Sequence, residues 1–407
     1  MSPEEPTLKP TPKLFQPKQI GAITLQHRIV LAPLTRNRAN KAHVHGPLAI
    51  EYYAQRASTP GTLLVTEATF IAPQAGGYPH VPGIWSAEQV AAWKKVVDAV
   101  HARGSFVYLQ LWALGRQASP EVLAAEGHPP SAYVSSSATP LPGAAHIPRA
   151  LALAELGEWA GLYAAAAGNA VHGAGFDGVE VHCANGYLLD QFLQDVCNKR
   201  EDGYGGSVEG RCRFPLEVVQ AVAEAVGAER TGVRISPWGT FGGMRMADPR
   251  ETFSYFVTQL RDRFPGLAYV HVIEPRTTGN VDVPDVPEGD SNDFVRDIWA
   301  PRPIISAGGY TREESFRSAE KYDYLIAWGR YWISNVSSGV GVAGERWWGA
   351  DVLLGLQPDL PYRLLKDIPL TPYSRDLFYN TESPHGYIDY PFAEESAEAE
   401  AESELRR

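Results

Sequence analysis

His182, Asn185 and Tyr187 stand close together in the run Gly178–Leu189, G-V-E-V-H-C-A-N-G-Y-L-L, where an apolar strand-like stretch gives way to polar side chains. At i and i+3, His182 and Asn185 share one face of the turn that follows the strand. Two neutral donors side by side suit a carbonyl or nitro oxygen that gains negative charge during reaction. Tyr187 projects about 140° further round from His182, so its phenol can deliver a proton to a different atom of the same substrate. Taken alone, the triplet is better explained as a strand end whose polar residues cap the next helix.

The elements that would position these residues recur along the chain. Eight short β-branched or apolar runs (Ile29–Leu34, Thr62–Phe70, Ser105–Trp112, Gly178–Ala184, Gly232–Pro237, Ala268–Glu274, Pro303–Ala307 and Tyr324–Trp328) alternate with helix-period stretches. Leu48–Ser58, Ala87–Arg103, Leu156–His172, Val208–Val226, Pro249–Phe264 and Arg312–Lys321 are among the latter. Strands joined by helical crossovers predict an α/β fold, a parallel (β/α)8 TIM barrel forming a single domain over residues 14–393. A doubly wound open sheet would need a glycine-rich nucleotide loop after its first strand, and Leu34-Thr35-Arg36-Asn37 is not one. The proline-bearing connection from Ala113 to Ala154, after the third strand, is expected to cover the active face as a lid or small subdomain. Ile20–Leu25 is expected to close the barrel bottom as a hairpin, and Pro361–Pro391 to fold back over the catalytic rim.

Barrel active sites form at strand C-termini. Those ends carry Pro33-Leu34-Thr35, Glu67-Ala68, Gln110-Leu111-Trp112, the His182–Tyr187 turn, Arg234, Glu274-Pro275-Arg276, Gly308-Gly309 and Gly329-Arg330. The glycines at ends seven and eight let backbone N–H groups approach a phosphate, and Arg330 matches its charge. Gln110 and Arg234, on opposite sides of the barrel mouth, could hold a flat ring with imide and pyrimidine edges between them, the arginine stabilising negative charge on the reduced ring.

Composition narrows the rest. A 407-residue chain, 44% apolar, carries a net charge of −11 and a pI near 5.5. That argues against a nucleic-acid or anionic-membrane partner, both of which call for clustered Lys and Arg. Cys183, Cys197 and Cys212 are an odd set with no C-x-x-C, which fits a reduced cytoplasmic compartment and no disulfide framework or thiolate metal site. No run approaches the ~20 apolar residues of a spanning helix, and the proline-rich start lacks a signal-peptide core. Residues 1–13 and the acidic tail 394–407, with six Glu against two Arg, read as disordered segments.

Competing chemistries fit less well. Glu67, Glu180 and Glu274 could include a glycosidase pair, but Glu180 lies within a strand and Glu67 before a strand end. His43-Val44-His45 sits in a loop without further ligands, so no metal is expected. Gly339-Val340-Gly341-Val342-Ala343-Gly344 matches G-x-G-x-x-G but follows no convincing strand and lacks a βαβ context.

Taken together these residues resemble the old yellow enzyme family, FMN-dependent ene reductases. The likeness runs from about Leu14 to Phe392: A-P-L-T-R at Ala32, E-Y-Y-A-Q-R-A at Glu51, A-P-Q-A-G-G-Y at Ala72, Q-L-W at Gln110, H-C-A-N-G-Y-L-L-D-Q-F-L at His182, E-D-G-Y-G-G-S at Glu201, G-R at Gly329 and H-G-Y-I-D-Y-P at His385. The resemblance implies non-covalent FMN, NADPH or NADH as hydride donor, and an α,β-unsaturated carbonyl or nitroalkene substrate in a monomer or homodimer. It implies that Pro33, Leu34, Thr35, Ala68 and Gln110 line the flavin, with the Thr35 hydroxyl on its C4 carbonyl and Arg234 on its N1/C2 edge. Gly308, Gly309, Gly329 and Arg330 would hold the phosphate. His182 and Asn185 would bind the electron-withdrawing group, Tyr187 would protonate Cα, and Trp112, Phe241, Val281, Phe378 and Tyr379 would shape the pocket.

Ala68 and Gly309 stand where many relatives carry Gly and Asn, and Val281 falls near a position where several carry an aromatic. The largest departure is Val336 to Gln357, which separates I-S-N from P-D-L-P-Y-R-L. It opens with Val, whose codons begin GT, and closes with Gln, one of whose codons is CAG. Those are the ends of an unspliced intron read in frame, and a true insertion is the other reading. Three functions remain open: an ene reductase, a dedicated biosynthetic reductase or isomerase using the same site, and a flavin-binding protein with lost activity.

Overall fold

The computed structural model describes residues 10–336 and 360–390. The acidic tail, the Gly339–Gly344 motif, residues 337–357 of the unusual insertion and most of the N-terminal segment lie outside the described residues. Lys13, at the edge of that segment, opens a 3-10 turn (Lys13–Phe15), and its ammonium lies 2.9 Å from Asp323.

Eight parallel strands close on themselves: β1 Ile29–Leu31, β2 Leu63–Val65, β3 Phe106–Trp112, β4 Gly178–Cys183, β5 Thr231–Ile235, β6 Tyr269–Ile273, β7 Ile304–Ala307 and β8 Leu325–Trp328. Seven of the eight expected runs contain their strand, the fifth strand beginning one residue before its run at Thr231, and β8 pairs back onto β1 to complete the (β/α)8 barrel. Alternation along each strand divides the side chains. Leu31, Leu64, Val107, Val181, Val233 and Ile326 pack outward into the core shared with the helices. Val30, Leu63, Val65, Tyr108, Tyr269, Ile305 and Leu325 fill the lower interior. The expected hairpin forms from Lys18–Ile20 and Ile23–Leu25, and Ile20, Ile23 and Leu25 plug the barrel from below.

Higher in the barrel the interior turns polar, and strand register fixes who meets whom. Gln110 on β3 stands opposite Glu180 on β4, and Arg234 on β5 has His182 on one side and His271 on the other. The connection Ala113–Ala154 forms a small subdomain of short helices and a paired Val134–Ser135/Arg149–Ala150. It caps the barrel beside the His182–Tyr187 turn. The C-terminal segment returns over the rim, held by Arg36 and Arg38, whose guanidinium groups donate to the Leu377, Phe378, Ser383, His385 and Gly386 carbonyls.

Candidate active site

The turn after β4 is built by its own backbone partners. Asn185 (φ 56°) and Gly186 (φ 70°) are both left-handed, a conformation Asn and Gly adopt at least cost. A Cβ on Gly186 would stand 2.8 Å from the Phe241 carbonyl oxygen, so no other residue fits there. The Gly186 N–H donates to Asp190 at 2.7 Å, Gln191 donates to the Gly186 carbonyl at 2.8 Å, and the Asn185 N–H donates to Ser236 Oγ at 2.8 Å. From the Ala113–Ala154 subdomain, Gln117 donates to the Asn185 carbonyl at 2.8 Å. Capping is therefore done by Asp190, Gln191 and Ser236, and the side chains of His182, Asn185 and Tyr187 are left to face a cavity.

Two adjoining cavities occupy the C-terminal mouth. The deeper one, about 70 Å³, is lined by Pro33, Thr35, Ala68, Gln110, Trp112, His182, Asn185, Tyr187 and Arg234. The larger, about 500 Å³, shares Pro33, Thr35, Asn185, Tyr187 and Arg234 and adds Leu34, Phe241, Gly308, Gly309, Gly329, Arg330, Phe378 and Tyr379. Of the site residues expected from sequence, Val281 alone lines neither. It is 45% exposed in a short hairpin (Thr277–Thr278 with Val281–Asp282) whose two-residue alternation turns Asn280 and Asp282 to the cavity instead. No side chain of the Ala113–Ala154 subdomain lines either cavity; it buttresses the donor turn from behind.

Electrostatics sort the polar residues into roles. Glu180 is buried and accepts from Gln110 Nε2 (2.7 Å), His271 Nδ1 (2.8 Å) and Tyr269 Oη (3.1 Å). Burial pushes its carboxyl up, but His271, the Arg234 charge and the Gln110 amide outweigh it and hold Glu180 ionised. That disposes of a glycosidase acid: Glu180 is a buried counter-charge, and Glu67 is likewise tied up by the Arg36 N–H and the Tyr53 hydroxyl. His182 is driven down to about 3, chiefly by burial and then by Arg234, so its imidazole is neutral. Burial, aided by Tyr78 and Tyr379, pushes the Tyr187 phenol well above its usual range, which keeps its proton in place. Trp112 fixes both rings, parallel to His182 (16°, centroids 6.4 Å) and edge-on to Tyr187 (4.7 Å). His43 and His45, read from sequence as loop histidines, are buried: His43 Nδ1 lies 2.6 Å from the Val81 carbonyl, and His45 packs edge-on against Trp93.

The sequence matches the model of the NADH:flavin oxidoreductase / NADH oxidase family over residues 13–340. It is 50% identical to a chanoclavine-I aldehyde reductase of Penicillium roqueforti, covering 95% of this chain and 98% of that one. It is 44% identical to a probable inactive reductase of Epichloe festucae var. lolii, over 95% and 96% of the two chains. The fold superposes on the crystal structure of Old Yellow Enzyme from a Pichia species with a TM-score of 0.79, 38% identity and 94% of each chain covered. The chain belongs to the old yellow enzyme family.

As an old yellow enzyme it is an FMN- and nicotinamide-dependent oxidoreductase, and its site can be tested against that cofactor. Arg234 is buried with Nε lacking any hydrogen-bond partner. A desolvated guanidinium of this kind calls for an anionic or carbonyl-bearing ligand, as the N1/C2 edge of the flavin is. Gly308 (φ 123°) and Gly309 (φ 58°) bring bare backbone to the far wall, where a Cβ on Gly308 would lie 2.9 Å from Thr277 Oγ1. Arg330 follows, its Nη1 2.8 Å from Asp282. A buried guanidinium at one end and bare glycine backbone with Arg330 at the other thus line one cavity, and the residues present fit the ring and phosphate of FMN. Sequence reasoning missed Thr277, Asn280, Asp282, Tyr331 and Tyr373 in the wall and Asp190 and Gln191 beneath the turn. For Asp190 a signal existed: an acid four residues after Gly186, the spacing at which a side chain reaches back to a turn N–H.

Proposed function

We propose that the protein is an NAD(P)H-consuming ene reductase that saturates activated C=C bonds of α,β-unsaturated aldehydes, ketones or nitroalkenes. The observation that carries this reading is the convergence of Gln110 and Arg234 with His182, Asn185 and Tyr187 on one small cavity. When bound and reduced, FMN supplies a hydride to substrate Cβ. Gln110 and Arg234 would hold the ring edge, with the Thr35 hydroxyl available to its C4 carbonyl and Pro33, Leu34 and Ala68 lining it, while Gly308, Gly309, Gly329 and Arg330 would hold the phosphate. His182, neutral, and the Asn185 amide donate to the substrate carbonyl oxygen, which gains charge as Cβ is reduced. Tyr187 gives its proton to Cα and recovers one from solvent. Phe241, Phe378, Tyr379 and Trp112 shape the space around the substrate body.

A dedicated aldehyde reductase of secondary metabolism is the second reading, supported by the 50% identity to chanoclavine-I aldehyde reductase. A retained, buried and protonated Tyr187 supports net reduction over isomerisation or lost activity. Three buried thiols support a cytoplasmic enzyme, acting as a monomer or homodimer. The deciding experiment incubates the FMN-loaded protein with NADPH and an enal under anaerobic conditions. The saturated aldehyde, formed with equal NADPH loss, is the expected product. An isomer without NADPH loss would move the assignment to isomerase, and no reoxidation by any enal, enone or nitroalkene to an inactive flavoprotein.

A further inference from the structure

Three segments that are distant in sequence meet above Tyr187. They are the turn Phe241–Gly243 after β5, the hairpin Thr277–Thr278/Val281–Asp282 after β6, and the C-terminal segment at Tyr379. Thr278 lies at their junction. Its Oγ1 accepts the Thr240 N–H at 3.0 Å and the Phe241 N–H at 2.9 Å. Those two bonds fill both lone pairs of a hydroxyl, so the Thr278 proton goes to Thr240 Oγ1, 3.1 Å away. The turn it holds has little structure of its own. Gly242 (φ 68°) and Gly243 (φ 69°) are both left-handed, and its internal bond is Gly243 N–H to the Thr240 carbonyl at 3.2 Å.

The next two residues seat two aromatic rings. Gly279 is left-handed (φ 55°), and a Cβ there would stand 2.7 Å from Phe241 Cδ2, so the Phe241 ring rests on bare backbone. Asn280 donates to Tyr379 Oη at 3.2 Å, and its carbonyl accepts from Arg375 at 2.8 Å. Phe241, 40% exposed, and Tyr379, 47% exposed, therefore flank the mouth on either side of Gly279-Asn280. The nearby charges are engaged: Asp282 with Arg330, and Arg375 with Asn280. Between Phe241 and Tyr379 the mouth offers a ligand aromatic surface, which suits a flat, apolar body.

We propose that Thr278 is a positioning residue that sets substrate range: by fixing Phe241 opposite Tyr379 it selects enals and enones bearing a planar aromatic group on Cβ. This rests on the ene reductase reading. Phe241 and Tyr187 have ring centroids 6.4 Å apart, but the Tyr187 turn is anchored independently by Asp190, Gln191 and Ser236. Arg116 holds the far end of the turn through the Gly242 and Gly243 carbonyls, so loss of the Thr278 bonds frees Thr240 and Phe241 without disturbing the proton donor, and KM moves while kcat does not.

The test compares Thr278→Val, which keeps the shape and removes the acceptor, with Thr278→Ser, which keeps the acceptor. The two substrates are crotonaldehyde and cinnamaldehyde, methyl against phenyl on Cβ. In the FMN-loaded Val variant, KM for cinnamaldehyde should rise about 10-fold, the scale of one or two lost hydrogen bonds, with crotonaldehyde KM and both kcat values within about twofold. Hydrogen exchange at the Thr240 and Phe241 amides should quicken in the Val variant, and both effects should revert in the Ser variant. Equal KM changes for the two aldehydes, no change for either, or unaltered exchange at those amides would each overturn the proposal. If the wild type reduces neither these aldehydes nor any other enal, enone or nitroalkene, the ene reductase reading has failed, and the ratio of the Val variant's Kd to the wild type's for each aldehyde, read from the flavin absorbance change on titration, decides the role of Thr278.

Discussion

Tyr187 meets His182 edge to face, with ring centroids 5.2 Å apart, and both are held in their neutral forms by burial. The pairing places a neutral phenol and a neutral imidazole on the same wall of the cavity. A charged imidazolium there would stabilise the developing oxyanion more strongly, but Arg234, register-paired with His182, already supplies the cation. Arg234 is thus the cation of this wall, while His182 and Tyr187 are neutral.

Tyr187→Phe should therefore separate the two half-reactions. Flavin reduction by NADPH should stay nearly intact, because no donated proton is needed at that stage. Flavin reoxidation by a weakly activated enone should slow by roughly 10²–10⁴, and nitroalkenes should suffer less, since their reduced anion persists without prompt protonation. Stopped-flow absorbance of each half-reaction measures this, and equal slowing of both would contradict the assignment of Tyr187 as donor.

His27 gives a pH signature in stability. Its Nδ1 accepts the Ile29 N–H at 3.1 Å at the base of β1, and Nε2 lies 2.9 Å from Thr62 Oγ1, so the native form is neutral. Burial lowers its pKa from 6.5 to about 4. Below 6.5 the unfolded chain takes a proton that the folded one refuses, so this contribution is complete above pH 6.5 and is lost as pH falls toward 4. By pH 5 the loss is about 2 kcal/mol. Asp190, raised to about 7 by burial, works in the opposite sense over an overlapping range, so the difference between wild type and His27→Gln isolates the histidine. Urea unfolding at saturating FMN should show that difference shrinking by about 2 kcal/mol between pH 7 and pH 5; a pH-independent difference would count against it.

At the phosphate end, Arg330→Ala should weaken FMN binding by roughly 1.5–3 kcal/mol, the range of a charge-assisted contact. Its partner Asp282 is then left beside the phosphate with no cation between them, which adds to the loss. Titration of apoprotein with FMN, followed by quenching of flavin fluorescence, reads the effect. An unchanged Kd would remove Arg330 from the cofactor site.

Much of this was legible from sequence, for reasons that are local. The barrel strands announce themselves as β-branched runs, and the helix Val208–Val226 has the expected limits because Ser207 Oγ caps Gly210 N–H and Gly227 (φ 95°) ends it. The expected helix Leu156–His172 begins earlier, at Leu153, and slackens into a π turn at Asn169–Ala174. There Asn169 donates to the Ile84 carbonyl, a contact across 85 residues that no local pattern displays. Val281 illustrates the same limit: which face of a two-residue strand meets the cavity depends on a hairpin partner. Thr278 reads as an ordinary β-branched residue until a loop 37 residues away lies against it.

The buried Glu180 links fold to cofactor and yields the last prediction. It is fully enclosed, takes three hydrogen bonds, and is the counter-charge for Arg234, whose own guanidinium burial disfavours. Glu180→Gln keeps the volume but removes the charge, leaving Arg234 uncompensated inside the barrel. Breaking such a pair from one side costs roughly 3–5 kcal/mol, more than a surface ion pair would. The urea midpoint should fall accordingly, and FMN, whose ring edge would then be met by a misplaced Arg234, should dissociate more readily. The companion variant Asp248→Asn, which breaks an exposed pair with Arg250 at 2.9 Å, should leave both measurements nearly unchanged. If the Glu180 variant behaves like that surface control, the barrel interior is not the electrostatic support of the ring site.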